Sequence, residues 1–320
     1  MRNSKKNIFA QPVFPDRTPG ARPHKSGRPR VLSVFGIVLL LAVLSACSSA
    51  PKKPAEVFTS RITAGNQLNL ANATANQGRY EDALLILDEA RRLALSADDP
   101  PLRIKTSMSR GNILFSLGRH TEAFREWEIA SVEGDASDEK ILAALARIYS
   151  IRANLVLLAN ASEQGGGDGI AETQKLMTRL QDEMIIVKSD PPSTAAGEVT
   201  FGMAEKQLGR WADAENTVKK ALSFHEKNLY LEDAAYDWFL MASIRSVAGN
   251  YDAALEALRN AIAFDRRAEN GFGLASSWRA MGDVYKKSGK SAESRDAYQR
   301  AADIYRAIGL LEKAEEAGKL

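Results

Sequence analysis

One six-residue phrase returns along this chain at a fixed distance, and it limits the available folds more than any other feature. It reads Gly78-Arg79-Tyr80-Glu81-Asp82-Ala83, then Gly118-Arg119-His120-Thr121-Glu122-Ala123. It recurs as Gly209-Arg210-Trp211-Ala212-Asp213-Ala214 and Gly249-Asn250-Tyr251-Asp252-Ala253-Ala254, and more weakly as Gly289-Lys290-Ser291-Ala292-Glu293-Ser294. The glycines are 40, 91, 40 and 40 residues apart. A unit of this length cannot bury its apolar face alone, so its copies must stack.

The register around each glycine predicts a pair of antiparallel helices. Small residues stand seven before it (Ala71, Gly111, Gly202, Ala242, Gly282) and twelve after it (Ala90, Ala130, Ala221, Ala261, Ala301). Small residues at facing positions let two helices approach closely. Nine after the glycine comes a filler: Leu87, Trp127, Val218, Leu258 or Tyr298. The glycine suits the turn, where a positive φ is needed. Beyond Pro54 the prolines form two pairs, Pro100-Pro101 and Pro191-Pro192, and none interrupts a helical pattern. Asp99 is expected to cap the helix opened by Pro100, and Ser193 or Thr194 the helix after Pro192.

These residues resemble the tetratricopeptide repeat. The best copy is Trp278-x-x-Met281-Gly282-x-x-Tyr285 followed by Gly289, Ser294, Tyr298 and Ala301; the next runs from Trp238 to Ala261. The period exceeds the family's usual 34 residues by about six, which implies longer helices. The resemblance implies an all-α fold, a right-handed α-solenoid of about six helix–turn–helix units over residues 61–320. The 91-residue gap must then hold a degenerate unit near 138–190, with helices at 141–159 and 171–188. The intervening Gly165-Gly166-Gly167-Asp168-Gly169 lacks the Lys-Ser/Thr and the preceding strand of a phosphate loop, so a plain loop is expected. Residues 310–317 alternate apolar and charged and are expected to solvate the open end of the stack.

The N-terminal residues are of another kind. Residues 1–46 hold eight basic residues and one acidic residue, and end in an uncharged apolar run at 31–44. As a helix that run spans about 21 Å, short of a hydrocarbon core of about 30 Å, which fits a secretory leader. The basic part is long for a leader, which leaves room for a start downstream of Met1. The run closes on Leu44-Ser45-Ala46-Cys47, with the chain's single cysteine. This resembles the lipobox of bacterial lipoproteins, which implies cleavage before Cys47 and acylation of its thiol. Two or more acyl chains would anchor the chain stably. Ser48 in place of a retention aspartate favours the outer membrane, facing the periplasm. Residues 47–60 then read as the lipidated residue and a flexible tether. Without residues 1–46 the chain has 35 basic and 39 acidic residues, so its formal +3 becomes −4 and gives no argument for nucleic acid.

Chemistry is sparse. His120 holds the place of Tyr80, Trp211 and Tyr251 in the repeat, and His225 sits late in a second helix; neither has a spaced partner for metal or nucleophile. The carboxylates fall on expected outer faces. No enzyme, cofactor or metal is expected. In the resembled family, first-helix residues facing away from the second helix line a groove, which here implies Asn72, Asn76, Asn112, Phe115, Met203, Lys206, Phe239, Arg279 and Lys286. Asparagine can donate to and accept from a peptide backbone, and aromatic side chains can serve as anchors. The expected function is a lipid-anchored scaffold that binds protein partners in envelope assembly, such as pilus, outer-membrane protein or peptidoglycan machinery. The rival reading is an accessory protein that binds cell-wall glycan or peptide fragments.

Overall fold

A computed structural model describes residues 58–163 and 169–320. The expected leader, Cys47, most of the tether and residues 164–168 of the glycine-rich loop lie outside the described residues. Among these there are thirteen α-helices and no strand. Six antiparallel pairs succeed one another: α1 (Thr59–Asn76) with α2 (Tyr80–Ser96), α3 (Pro100–Ser116) with α4 (His120–Ala136), and α5 (Lys140–Glu163) with α6 (Ile170–Val187). They continue with α7 (Pro191–Gln207) and α8 (Trp211–Asn228), α9 (Leu231–Val247) and α10 (Tyr251–Ala268), then α11 (Gly271–Lys287) and α12 (Ser291–Ala307), before a short α13 (Leu311–Gly318). The fold is an α-solenoid, and the degenerate middle unit is α5–α6.

The repeated small residues do what their register predicts. Ala71, Ala83, Ala90, Ala123, Ala130, Ala214, Ala242 and Ala261 are all 0% exposed, where neighbouring backbones meet. The five turn glycines have φ between +72 and +80. At Gly78 the turn closes with Gly78 N donating to Ala75 O (2.8 Å) and Arg79 N to Thr74 O (3.3 Å), a helix stop that needs a left-handed residue. The opposite turns reach the same region without glycine, at Asp98, Asp138, Leu229 and Glu269.

Two local expectations change. Neither Ser193 nor Thr194 caps α7. Asp190 does, its carboxylate accepting from Ser193 N at 3.0 Å and from Ser193 Oγ at 2.6 Å. Pro191 and Pro192 have no N–H to satisfy, so the first free donor is that of Ser193. Asp99 caps α3 in the same way, accepting from Leu102 N at 3.0 Å. Helix α5 is long and apolar enough to cross a membrane, yet Ala143, Leu145, Ile148 and Leu155 are at most 1% exposed within the stack.

The second change concerns residues 310–317, which do not simply solvate an open end. Ala314 and Ala317 are buried, and the turn before α13 meets the first unit. A Cβ on Gly78 would lie 3.4 Å from both Ile308 Cδ1 and Leu310 Cδ1. The Tyr80 ring lies edge-on to Phe272 at 6.1 Å. Tyr80 is 6% exposed, whereas Trp211, at the same place in its own repeat, is 43% exposed. The first and last units of the stack therefore touch through an apolar seam.

Candidate functional site

In most of the glycine-marked pairs the first helix carries a polar residue on the same register, six before the turn glycine. Four of the five glycine-marked units have one: Asn72, Asn112, Ser243 and Asp283; Met203 takes the fifth place. In each of the four, a buried atom lacks a protein partner: Asn72 Oδ1, Asn112 Nδ2, Ser243 Oγ and Asp283 Oδ2. Both side-chain polar atoms of Asn76 share that condition. Leaving such a group unpaired costs about 1–3 kcal/mol, so this recurrence at one register is not a neutral feature of the wall.

Two of these residues also hold the filler residue of their unit. Trp127 Nε1 donates to Asn112 Oδ1 at 3.1 Å, and Tyr298 OH donates to Asp283 Oδ1 at 2.6 Å. Where the filler is Leu87 or Leu258, with no polar tip, Asn72 and Ser243 have nothing to hold. Burial raises the Asp283 carboxyl's pKa, against the hydrogen bond from Tyr298 and the charges of Arg279, Lys287 and Lys286.

The other expected groove residues spread over a range of exposure. Phe115 is buried beside His120 and Trp127, with ring centroids at 4.9 and 6.0 Å. Met203 is buried and accepts a 3.5 Å contact from Tyr236 OH. Lys206 and Arg279 are half-buried, and Lys286 is exposed. Phe239 is 1% exposed and stacked near Tyr236; it fills the core and offers no face as a groove anchor.

Two buried charged groups lie near the middle of the stack; sequence reading passed over Arg152 and gave His225 no partner. Arg152 on α5 is 7% exposed. Its Nε donates to Thr200 Oγ1 at 2.9 Å, and among the described residues no carboxylate pairs with it. His225 does have a partner: its Nδ1 lies 2.7 Å from Asp237 Oδ2, with both side chains under 8% exposed. Burial alone would lower the imidazole's pKa, but Asp237 more than offsets it, so the net shift is upward. Burial raises the pKa of Asp237 against the opposing pull of His225. The pair therefore holds its proton tightly. The available signal was an aspartate and an arginine each set inside an apolar helical run. Among the described residues no three metal-ligating side chains cluster.

Tetratricopeptide-repeat models match residues 232–307 and residues 63–97. No curated protein matches the chain. Among solved structures, the Rap protein complexed with competence and sporulation factor is 14% identical. That match covers 82% of this chain and 74% of the other, with a TM-score of 0.52. BtubC from P. vanneervenii is 16% identical over 77% of this chain and 92% of its own, with a TM-score of 0.45. A tetratricopeptide repeat protein from Parabacteroides merdae is 16% identical over 81% and 98%, with a TM-score of 0.35. At such identities the likeness speaks for the fold alone.

Proposed function

We propose that this tetratricopeptide-repeat solenoid is a lipid-anchored scaffold of the bacterial envelope that holds an extended segment of a partner protein along its first-helix wall. The observation that carries the reading is the set of buried, unpartnered polar atoms at one register, on Asn72, Asn112, Ser243 and Asp283. A peptide in extended form offers a donor or acceptor at every residue, which suits a wall of spaced amide, hydroxyl and carboxyl groups. Arg152, buried without a carboxylate, would take an acidic side chain or a chain terminus. The membrane link rests on Cys47 and its lipobox-like surroundings, with the outer membrane favoured and the chain facing the periplasm.

The wall gives an unusual test. Asn76 makes no side-chain hydrogen bond through either polar atom, so Asn76→Ala removes no hydrogen bond within the protein. Together with Asn72→Ala it should keep or raise the melting temperature while abolishing partner capture in crosslinked pull-downs. Undiminished capture by the stable double variant would remove the wall from the reading. For the anchor, Cys47→Ser should leave uncleaved precursor with no acyl mass, and normal processing of that variant would refute it.

A further inference from the structure

On the side where second helices flank a first helix, the stack repeats one device. An arginine from the middle helix is tied to the helices before and after it. Arg110 of α3 pairs with Asp88 of α2 and, at 3.2 Å, with Glu126 of α4. Arg147 of α5 bridges Asp135 of α4 at 3.0 Å and Glu183 of α6 at 2.8 Å. Arg245 of α9 reaches Glu215 of α8 at 2.8 Å and the Ala253 carbonyl of α10 at 3.3 Å.

The groove over α7 has Phe201 and Glu205 at these positions, and the last one, over α11 between α10 and α12, breaks the pattern with arginines of its own. Met281 stands at the repeat position of Arg110, Tyr285 at that of Arg245, and Arg259 at that of Asp88. In place of a tied arginine there is an open cavity of about 430 Å³, floored by Trp278, Met281 and Tyr285. Arg259 and Arg266 of α10 and Arg300 of α12 rim it. The Arg300 guanidinium lies 4.7 Å from the Trp278 ring centroid, and among the described residues no carboxylate pairs with any of the three arginines. Glu293 and Asp296 lie earlier on α12, towards the Tyr285 end, so the cavity is cationic at one end and acidic at the other. This concentration of unpaired guanidinium runs against the net −4 of residues 47–320.

From this contrast we infer that the cleft is a docking site for an acidic segment of a partner protein, separate from the first-helix wall. Its carboxylates meet Arg259, Arg266 and Arg300, and an apolar side chain lies on Trp278 and Met281. Guanidinium groups suit carboxylates through paired hydrogen bonds, and the indole supplies a flat apolar seat. The volume is that of a small binding site, within the usual range of about 300–1,000 Å³. The carboxylates at the Tyr285 end repel a uniformly anionic surface, which favours a segment of defined length over a membrane.

The test uses the full chain in detergent and a fluorescein-labelled acetyl-Glu-Glu-Leu-Phe-Glu-Glu-amide peptide, read by anisotropy. The expected result is saturable binding that weakens as salt rises, with the lysine counterpart of the peptide failing to bind. Arg259→Glu combined with Arg266→Glu should weaken binding tenfold or more without lowering the melting temperature. Arg300→Lys, which keeps the charge but loses the planar stack, should weaken it less. The proposal is overturned if the acidic peptide does not bind, if the lysine peptide binds as well, or if the Arg259/Arg266 variant binds as the parent does. Displacement of the peptide by phosphatidylglycerol vesicles but not by phosphatidylcholine vesicles would also overturn it, in favour of a lipid surface.

Discussion

A single methyl group is enough to test how closely the helices meet. A Cβ on Gly111 would lie 2.5 Å from Trp127 Nε1, and one on Gly282 would lie 2.5 Å from Tyr298 Cδ1. Gly65 has open space around it. Gly111→Ala and Gly282→Ala should each cost about 1–3 kcal/mol by overpacking, whereas Gly65→Ala should be neutral or gain a few tenths of a kcal/mol from the stiffer unfolded chain; urea denaturation reads all three. A second residue sets a pH dependence. Asp265 is buried under α11, accepting from Asn270 Nδ2 at 2.8 Å and Ser277 Oγ at 3.4 Å. Burial pushes its carboxyl up to about 8, an effect those donors only partly offset. The folded protein thus keeps a proton that the unfolded chain releases near pH 3.9. Stability from this group is full below that value and falls as pH climbs to about 8. Asp265→Asn should flatten that part of the pH profile, and denaturation midpoints between pH 5 and pH 8 check it. Glycine packing was legible because only a missing side chain admits such closeness at a recurring position. The titration was not, because a carboxylate late in a helix looks solvated until its neighbours are known.

Helix starts show how far local chemistry reached. Asp99 and Asp190 both precede two prolines, and both cap through a carboxylate that accepts the third helical N–H. Replacing either by Ala should cost about 0.5–2 kcal/mol, measured as a fall in melting temperature, with Asp190→Ala also releasing Ser193 Oγ. The first cap could be read from sequence. The second was assigned three or four residues late, because a serine after a proline pair resembles a cap until the missing proline donors are counted. The middle unit was legible in outline, since α5 and α6 keep helical spacing without the marker glycine. The partner of His225 was hidden for a different reason. Helix α9 is buried around most of its circumference, so Asp237 sat on no recognisable polar face. Its pairing also runs between units, from α8 to α9, whereas the repeat register describes each unit alone.

At the scale of the folded body, the seam between the first and last units joins residues about 230 positions apart. No local pattern encodes it; it depends on the small rotation added at each unit. Leu310→Lys should raise the radius of gyration in small-angle scattering and speed amide exchange in α1 and α13 together; exchange confined to α13 would mean the two ends are not coupled. Open solenoids tolerate gain or loss of a unit, because each copy answers only to its neighbours. A stack whose ends must meet has no such freedom. Duplicating or deleting 40 residues would carry Gly78 past Ile308 or leave it short, so closure counts the repeats. In lineages where the seam persists, the gene should drift in sequence within units while keeping their number constant.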